Sequence, residues 1–274
     1  MMSLQELQLL AEREYTIQNT RQDLNRLVEF FRGLPNQGVS ILAAFIQERM
    51  LPKEVADAAK VFFIDENMTV AEIPEEFRAE SLGMIRQGNI IFSGRLVYPV
   101  MDVKGDVAGF CGWDKFVQPK YLDSKNQGYL AKANMFYGME KMQEYYDSDR
   151  PLYVVEGIVC CLYLRSKGFN AVAILGSKLT LYMIQILKRF KMVVIIPDND
   201  VFGKNAEELG NALAGEGLVQ QAKRTIRNSI VVQSIIAKDV DDSRKIEDKE
   251  SLFCEELKSV GTNPFQEFKT IRVR

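Results

Sequence analysis

Two apolar runs that stop abruptly at acidic residues form the strongest pattern in this chain. Leu152–Val155 leads directly into Glu156, and residues 192–196 lead, after one proline, into Asp198 and Asp200. Runs rich in β-branched residues are typical of strands buried in a parallel sheet. The carboxyl ends of such strands form the edge at which α/β sheets bind ligands. We therefore predict a ligand site built from acids at one edge of an α/β sheet.

The acids at that edge indicate a bound cation. Glu156, Asp198 and Asp200 would repel one another unless a positive ion neutralised them, and hard oxygen donors favour Mg²⁺ or Mn²⁺. Taken singly, each has an ordinary explanation, because a strand-end acid before a glycine is common and Asp is a frequent helix N-cap. Together on neighbouring strand ends, they predict an enzyme that handles phosphates with metal ions.

The length and net charge of the chain decide neither the number of domains nor whether it binds nucleic acid. The chain has 274 residues, 47% of them hydrophobic, and a formal net charge of −2. This length accommodates one large domain or two modest ones with a buried core. The acidic balance argues only weakly against nucleic acid, because a polymerase-like enzyme needs just one basic groove.

The histidine and cysteine content excludes several kinds of chemistry. The chain has no histidine, so histidine general bases and histidine-dependent triads are excluded. Its cysteines, Cys111, Cys160, Cys161 and Cys254, form no CxxC pair, so we expect no zinc site. This cysteine pattern is typical of a reducing cytoplasm. We find no signal peptide and no apolar run long enough for a membrane span, and we expect no membrane partner.

The first half of the chain combines helices with a small sheet. Leucines at helical spacing predict one or two amphipathic helices over 3–33, followed by a helix over 39–48 and a short helix that begins after Leu51. Short β-like runs within 89–114 predict an antiparallel sheet, with residues 103–106 as a hairpin turn. Residues 139–145 are expected to be helical.

From residue 151 onward, strands and helices alternate. We predict strands at 152–155, 171–175, 192–196 and 229–236, and helices at 157–167, 180–190 and 203–213. This alternation predicts a parallel sheet covered by helices. The fold class is thus α/β, with an α+β N-terminal subdomain. The expected parts are a helical segment at 1–35, an N-terminal subdomain at 36–150, an α/β domain at 151–245 and a tail at 246–274 with a short helix near 249–259.

The α/β half resembles the Toprim domain. The resemblance rests on V-V-E-G at 154–157, A-I-L-G at 173–176 and I-I-P-D-N-D-x-x-G at 195–203. That domain is shared by bacterial-type primases, type IA and type II topoisomerases and some nucleases. Its metal-binding residues are a Glu and an Asp-x-Asp, so the resemblance implies this role for Glu156, Asp198 and Asp200.

The region upstream resembles the catalytic core of DnaG-type primases. Residues 94–112 are similar to the family's G-R-I-x-F-P-I-x-D-x-x-G-x-V-x-G-F-x-G, and P-K-Y-L-D-S at 119–124 is similar to P-K-Y-L-N-S. The stretch 130–138 resembles F-x-K-x-x-x-L-Y-G, and 49–54 resembles R-G-L-S-x-E. These motifs follow the family order, and other Toprim enzymes lack them.

The resemblance implies further site residues. Lys120 and Lys132 would bind nucleotide or template phosphates as part of the catalytic site, and Tyr121 would contribute to nucleotide binding. Tyr121 and Tyr137 would either stack on a ligand or pack against the protein, and packing is the more common role of such tyrosines. K-D-V-D at 238–241 is similar to the family's K/E-D-P-D, which implies second-metal or nucleotide-side roles for Asp239 and Asp241.

Several departures from the family pattern bear on the site. Trp113 stands where the family usually has a basic residue, and Cys160 stands where it has an additional acid. The family's N-terminal zinc ribbon and most of its helicase-contacting bundle have no counterpart in the sequence. We therefore expect a near-minimal catalytic core that uses Mg²⁺ or Mn²⁺ and no zinc.

The resemblance implies a DNA primase core, that is, a DNA-directed RNA polymerase that makes short RNA primers in replication. Its expected partners are a single-stranded DNA template, ribonucleoside triphosphates, and a replicative helicase or a separate template-recognition subunit. The expected location is the bacterial cytoplasm, or that of a phage-infected host. Two alternatives stay open at this point: a Toprim-type metal-dependent nuclease, and a non-catalytic replisome accessory subunit.

Overall fold

The protein forms two compact units, Met1–Lys132 and Ala133–Arg274. The computed structural model describes residues 4–34, 39–48, 51–124, 135–148, 150–175, 179–196, 229–234 and 268–271. Within those ranges, every helix is too short or too polar to cross a lipid bilayer.

The first unit packs helices against a four-stranded sheet. Its helices are α1 (Leu4–Gly33), α2 (Val39–Glu48) and α3 (Lys53–Ala58), followed by three 3₁₀ turns at Val70–Glu72, Glu75–Phe77 and Glu80–Leu82. Its strands are β1 (Phe62–Phe63), β2 (Ile85–Arg86), β3 (Asn89–Ile90), β4 (Leu96–Met101), β5 (Val107–Trp113) and β6 (Tyr121–Asp123). The sheet order is β1-β4-β5-β6, and all its pairings are antiparallel.

The C-terminal part of α1 completes the core of the first unit. Leu24, Leu27, Val28 and Phe31 recur at helical spacing, and all four are buried. Phe31 stacks on Phe62 of β1 with ring centroids 5.2 Å apart. The C-terminal part of α1 therefore forms one wall of the core of this unit. The division of the sequence at residue 35 stays a proposal about sequence modules.

The second unit contains a five-stranded sheet in which all described pairings are parallel. Its strands are β7 (Leu152–Val155), β8 (Asn170–Ala173), β9 (Val193–Ile196), β10 (Ser229–Ser234) and β11 (Phe268–Ile271), in the order β11-β10-β9-β7-β8. Its helices are α4 (Met142–Asp147, after a 3₁₀ turn at Met139–Lys141), α5 (Ile158–Ser166) and α6 (Leu181–Leu187). Strands β7, β8 and β9 are buried along their whole length, as expected for a sheet covered on both faces.

The α/β class and the parallel sheet are confirmed, and the antiparallel hairpin of β4 and β5 is found where the sequence predicts it. Three details differ. The run at 90–92 is not part of the larger sheet, because Asn89–Ile90 pairs with Ile85–Arg86 in a separate hairpin. Strand β8 ends at Ala173, before Leu175, which has a φ of 51°. The tail contains a strand, β11, which pairs with β10. The helices predicted at 203–213 and 249–259 lie outside the described residues.

The boundary between the units lies at residue 132, whereas the sequence modules were divided at residue 150. Tyr137 explains the earlier boundary, because it exchanges two backbone hydrogen bonds with Ala173 of β8. The stretch before β7 is thereby attached to the parallel sheet, although its motif belongs to the upstream sequence pattern. The division at residue 150 stays a proposal about sequence modules.

Candidate functional site at the carboxyl edge of the parallel sheet

Strands β7, β8 and β9 of the second unit end at the same level of the sheet. Val155 of β7 lies opposite Ala173 of β8 on one side and opposite Ile196 of β9 on the other. Glu156, the next residue after Val155, is half-buried at this edge. Gly157 caps α5, so the N-terminal end of that helix also lies beside Glu156. The first predicted metal ligand is therefore at the carboxyl edge of the sheet, as the strand pattern indicates.

The second pair of predicted acids follows the neighbouring strand. Asp198 and Asp200 lie outside the described residues, so the structure describes only the strand that leads to them. Asp198 is two residues beyond Ile196, which keeps its Cα within about 7 Å of the end of β9 by covalent reach. Neighbouring strands are about 4.8 Å apart, so the ends of β7 and β9 lie close together. That Asp198 and Asp200 share an ion with Glu156 stays a prediction.

The Tyr137–Gly138 motif is attached to the same edge. Tyr137 donates its backbone N–H to the Ala173 carbonyl at 2.8 Å and accepts from the Ala173 N–H at 3.0 Å. Tyr137, Ala173, Val155 and Ile196 thus form one row across the sheet, just before Glu156. The Tyr137 side chain is only 3% exposed, so it packs in the core and does not stack on a ligand.

The motif at 119–124 is held by its backbone. The Lys120 carbonyl accepts hydrogen bonds from the Asp114 N–H at 3.0 Å and from Arg95 Nη1 at 3.3 Å. Arg95 is buried, and its position beside Gly112 is so close that a Cβ at Gly112 would meet Arg95 and Phe92. The backbone at Lys120 is therefore fixed while its side chain extends into solvent.

Ser124 fixes the other end of this motif. Its Oγ accepts the Phe110 N–H at 2.9 Å, and its own N–H donates to the Phe110 carbonyl at 3.0 Å. Gly83 and Gly109 leave the room for this side chain, since a Cβ at either position would lie within about 3.0 Å of a Ser124 side-chain atom. The serine of the motif thus has a structural role.

The exposed side chains of the motif are Lys120 and Tyr121. Tyr121 is 44% exposed and pairs with Trp113 across β5 and β6. Lys120 Nζ lies 6.0 Å from the centroid of the Trp113 ring, at the outer limit of a cation–π contact. Trp113 itself is buried against Phe45, with ring centroids 5.4 Å apart. The residue that replaces the family's usual basic residue is therefore a core residue.

Two adjacent cysteines lie on α5, which follows Glu156. Cys160 and Cys161 are both buried. Cys161 donates its S–H to the Ala171 carbonyl at 3.2 Å, and burial raises the pKa of its thiol to about 12. The Cys161 thiol is consequently protonated near neutral pH, and it is a packing group of the helix.

The remaining predicted site residues, Lys132, Asp239 and Asp241, lie outside the described residues. Among the residues that are described, no three Cys, Asp or Glu side chains gather closely enough to hold a metal ion. The roles of these residues therefore stay predictions.

Three structural residues of this region were not singled out from the sequence: Arg95, Ser124 and Arg165. Ser124 and Arg95 lie within the family-like motifs, but a motif does not distinguish a ligand-binding residue from one that holds the backbone. Arg165 lies in the last turn of the apolar helix α5. The only feature of the sequence that distinguishes it is that it is the first charged residue after Glu156.

Comparisons with known proteins agree with this arrangement. The family described as "DNA primase catalytic core, N-terminal domain" matches residues 30–143, and the Toprim-like family matches residues 153–243. The fold and its acid-bearing edge define a Toprim protein. The upstream match is specific to primases, and this chain belongs to the DnaG-type primase family, of which it has the two catalytic-core domains. Toprim domains and primase cores are in general metal-dependent.

Individual relatives show how much of the family's length is present. The chain is 33% identical to the DNA primase of Deinococcus radiodurans over 145 residues, which are 51% of this chain and 24% of that protein. It is similar to the E. coli primase catalytic core with a TM-score of 0.67 and 25% identity, covering 86% of this chain and 79% of the other. A DnaG primase catalytic domain bound to single-stranded DNA matches with a TM-score of 0.69 and 23% identity, covering 88% and 78%. The chain thus spans about a quarter of the length of that curated relative.

Proposed function

We propose that this chain is the catalytic core of a DNA primase, which joins ribonucleotides into short RNA primers on single-stranded DNA during replication. The observation that carries the proposal is the pairing of β7 with β9, in which Val155 lies opposite Ile196. The two strands that lead to Glu156 and to Asp198 are therefore hydrogen-bonded neighbours. A match to the primase catalytic core precedes this edge in the chain, and one relative of this fold is bound to single-stranded DNA.

The proposed metal ligands are Glu156, Asp198 and Asp200. Carboxylates are hard oxygen donors, and a set made only of such donors favours Mg²⁺ or Mn²⁺ over zinc. Such an ion, when bound, lowers the pKa of the attacking 3′-hydroxyl and neutralises charge on the phosphoryl group. No side chain need then act as the general base, which agrees with the lack of histidine.

The proposed phosphate-binding residues are Lys120 and Lys132, and Tyr121 is proposed to contribute to nucleotide binding. Lys120 is suited to this role because Arg95 and Asp114 hold its backbone while its ammonium group is exposed. A cation on a fixed backbone loses less conformational entropy when it binds a phosphate. Asp239 and Asp241 are proposed as second-metal or nucleotide-side acids.

The proposed partners are a single-stranded DNA template, ribonucleoside triphosphates, and a replicative helicase or a separate template-recognition subunit. The proposed location is the bacterial cytoplasm, including that of a phage-infected host. These proposals rest on the family and on the expected chemistry of the acids and lysines.

A priming assay tests the proposal. The chain is incubated with random single-stranded DNA, the four ribonucleoside triphosphates and Mg²⁺ or Mn²⁺, and labelled dinucleotides and longer products are separated on a gel. We expect synthesis by the wild-type chain and none by Glu156→Gln, which removes a charged ligand with almost no change in shape. Glu144→Gln, at an exposed residue of α4, is the matched control and should retain activity.

A parallel reaction distinguishes the alternatives. A labelled single strand is incubated with the same metals but without ribonucleotides. Cleavage in this reaction together with no synthesis in the first would favour a Toprim nuclease. The absence of both, in a folded protein, would favour a non-catalytic replisome subunit.

A further inference from the structure

A small cavity with a basic lining lies at the amino end of the parallel sheet, at the opposite edge from Glu156. Its volume is about 320 Å³, which is at the lower end of the range for ligand cavities in proteins. We call it the amino-edge cavity. It is lined by Tyr146, Asp147, Arg150, Arg189, Phe190 and Lys191.

The register of the sheet explains why two of its cations lie together. Leu152 of β7 pairs with Val193 of β9 in a parallel ladder, and the Leu152 N–H donates to the Met192 carbonyl at 3.0 Å. Arg150 and Lys191 each precede one of these paired residues by two positions, so both enter the sheet at the same level. Because neighbouring strands are about 4.8 Å apart, the two residues line one cavity.

The two arginines of the amino-edge cavity form no ion pair with any acid in the part of the chain that the structure describes. Arg150 Nη2 donates to the Gly168 carbonyl at 2.6 Å, which fixes one side of its guanidinium group. The side chains of Arg150 and Arg189 are both exposed. A guanidinium group held in this way presents its other N–H groups in a plane, a geometry that suits two oxygens of one phosphate.

The lining of the cavity has an excess of positive charge. It carries one carboxylate, that of Asp147, and three cations, those of the two arginines and Lys191. Both oxygens of Asp147 accept hydrogen bonds from Gln143 Nε2, at 3.0 and 3.1 Å. The neighbouring Asp149 lies outside the described residues. Three cations around one small cavity favour an anion with several oxygen acceptors, and a phosphate group is such an anion.

An exposed aromatic ring forms one wall of the cavity. Tyr146 is 53% exposed, and its ring meets that of Phe190 edge to face, with centroids 5.9 Å apart. Phe190 is buried, so it holds the Tyr146 ring in place from the inside of the unit. An aromatic ring beside cations can bind the base and the phosphate of one nucleotide together, because every base can stack on an aromatic face.

We propose that the amino-edge cavity binds nucleotide phosphates, with Arg150 and Arg189 on the phosphate oxygens and Tyr146 against the base. The phosphate belongs either to a single nucleic-acid strand or to a free nucleotide. The choice of a nucleotide as the ligand rests on the proposed function, whereas the positive charge and the aromatic wall do not. The cavity is separate from the acid edge, because Arg150 precedes β7 and Glu156 follows it.

Fluorescence anisotropy in EDTA tests this inference with two probes, a labelled oligothymidylate and a fluorescent ATP analogue. Without a divalent ion the acid edge repels phosphates, so binding of the probes does not depend on that edge. We expect Arg189→Gln to weaken binding of at least one probe by about tenfold or more, the effect of losing a hydrogen bond from a charged donor. Arg150→Gln should weaken binding of the same probe.

An adjacent residue provides a matched control for charge. Lys188 is exposed beside Arg189 but does not line the cavity, so Lys188→Gln removes the same charge from the same surface. Each phosphate contact of a single strand contributes about 0.7 to the slope of log affinity against log salt concentration. For a strand, Arg189→Gln should therefore reduce this slope by about 0.7, and Lys188→Gln should leave both slope and affinity unchanged.

Two tyrosines of equal exposure test the aromatic wall. Tyr146 and Tyr182 are each 53% exposed, but only Tyr146 lines the cavity. Stacking of one base on an aromatic ring changes affinity by about fivefold or more, so Tyr146→Ala should weaken binding by at least about that factor. Tyr182→Ala should bind both probes as the wild type does.

The outcomes identify the source of the phosphate and separate this inference from the primase proposal. A loss of oligothymidylate binding in Arg189→Gln supports a strand as the ligand, and a loss of ATP binding alone supports a free nucleotide. Absence of binding by the wild type would overturn the inference, as would wild-type affinity in folded Arg150→Gln and Arg189→Gln, or an equal loss in Lys188→Gln. Binding that responds to Arg189 in a chain that makes no primer supports the inference and overturns the primase proposal. Circular dichroism shows that each variant is folded.

Discussion

At the scale of single residues, the P-K-Y-L-D-S motif divides into residues that hold the backbone and residues that face solvent. Ser124 holds the motif on β5, the carbonyl of Lys120 is held by Arg95 and Asp114, and the side chains of Lys120 and Tyr121 are exposed. The exposed pair is therefore where ligand binding is to be sought. Mutations at Ser124 and Arg95 should mainly alter the stability of the first unit.

Ser124→Ala should destabilise the first unit. The change leaves the Phe110 N–H of a buried strand without its acceptor, and an unsatisfied buried donor costs about 1–3 kcal/mol. Urea unfolding measured by fluorescence of the single tryptophan, Trp113, reports the loss. Ser93→Ala is the control, because Ser93 Oγ acts only as a donor, to the Glu66 carbonyl at 3.1 Å and the Asp65 carbonyl at 3.4 Å, so its removal leaves no backbone N–H without an acceptor. Equal stability of wild type and Ser124→Ala would contradict the structural role of Ser124.

Sequence reasoning at this scale predicted Glu156 and did not predict Arg165. The position of Glu156 follows from local information, since an apolar run that ends in an acid defines a strand end. Arg165 donates to the carbonyl of Gly138, which is 27 positions away in the sequence, and no local pattern signals which carbonyl an arginine will reach. The roles of Asp198, Asp200, Lys132, Asp239 and Asp241 stay predictions, because these residues lie outside the described ranges.

At the scale of elements, α1 is attached to the β4–β5 hairpin by polar contacts as well as by its apolar stripe. Arg21 Nη2 pairs with Asp102 Oδ2 at 2.7 Å, and Asp102 Oδ1 accepts the N–H groups of Lys104 and Asp106 within the turn. Asn25 donates to Asp106 at 3.0 Å and accepts the Val107 N–H at 3.1 Å. The hairpin turn is therefore recognised by one face of the helix.

Arg21→Met should destabilise the first unit more than the same change at Arg26. The Arg21–Asp102 pair is 26% and 10% exposed, so its loss leaves a largely buried carboxylate without a counter-ion and should cost between about 1 and 3 kcal/mol. Arg26 is 61% exposed, and its ion pairs with Asp23 and Glu76 are 3.5 and 3.6 Å long, so its loss should cost under about 1 kcal/mol. Urea midpoints of the two variants check the order. A larger loss for the Arg26 variant would contradict the role given to the Arg21–Asp102 pair, and negligible losses in both variants would show that α1 is held by its apolar stripe alone.

Elements with strong periodicity were predicted and very short ones were not. Helices α1 and α2 follow from the spacing of apolar residues, and strands β4, β5, β7 and β9 follow from apolar runs. The two-residue strands β2 and β3 are too short to show a pattern, and β11 (F-K-T-I) lacks the continuous apolar run of the equally short β7 and β9. Strand β11 depends on β10 for its hydrogen bonds, so its partner and not its own sequence defines it.

At the scale of the whole molecule, the alternation of strands and helices predicted the parallel sheet, while the compact units divide at residue 132 and the proposed sequence modules at residue 150. The stretch before β7 belongs to the second unit, and its residue Tyr137 forms a bridge with Ala173. A pairing between residues so far apart in the chain cannot be predicted from local sequence patterns. The catalytic proposal depends on this second unit, because β7 and β9 both lead their acids to the same edge.

Binding of Mn²⁺, measured by electron paramagnetic resonance of the free ion, tests the central claim most directly. The claim is that Glu156, Asp198 and Asp200 together hold the catalytic cation. The wild-type chain should bind Mn²⁺, and Glu156→Gln, Asp198→Asn and Asp200→Asn should each weaken binding by at least about tenfold, since each removes a charged ligand. Glu144→Gln should bind as the wild type does. Wild-type affinity in all three acid variants, each shown to be folded, would contradict the account.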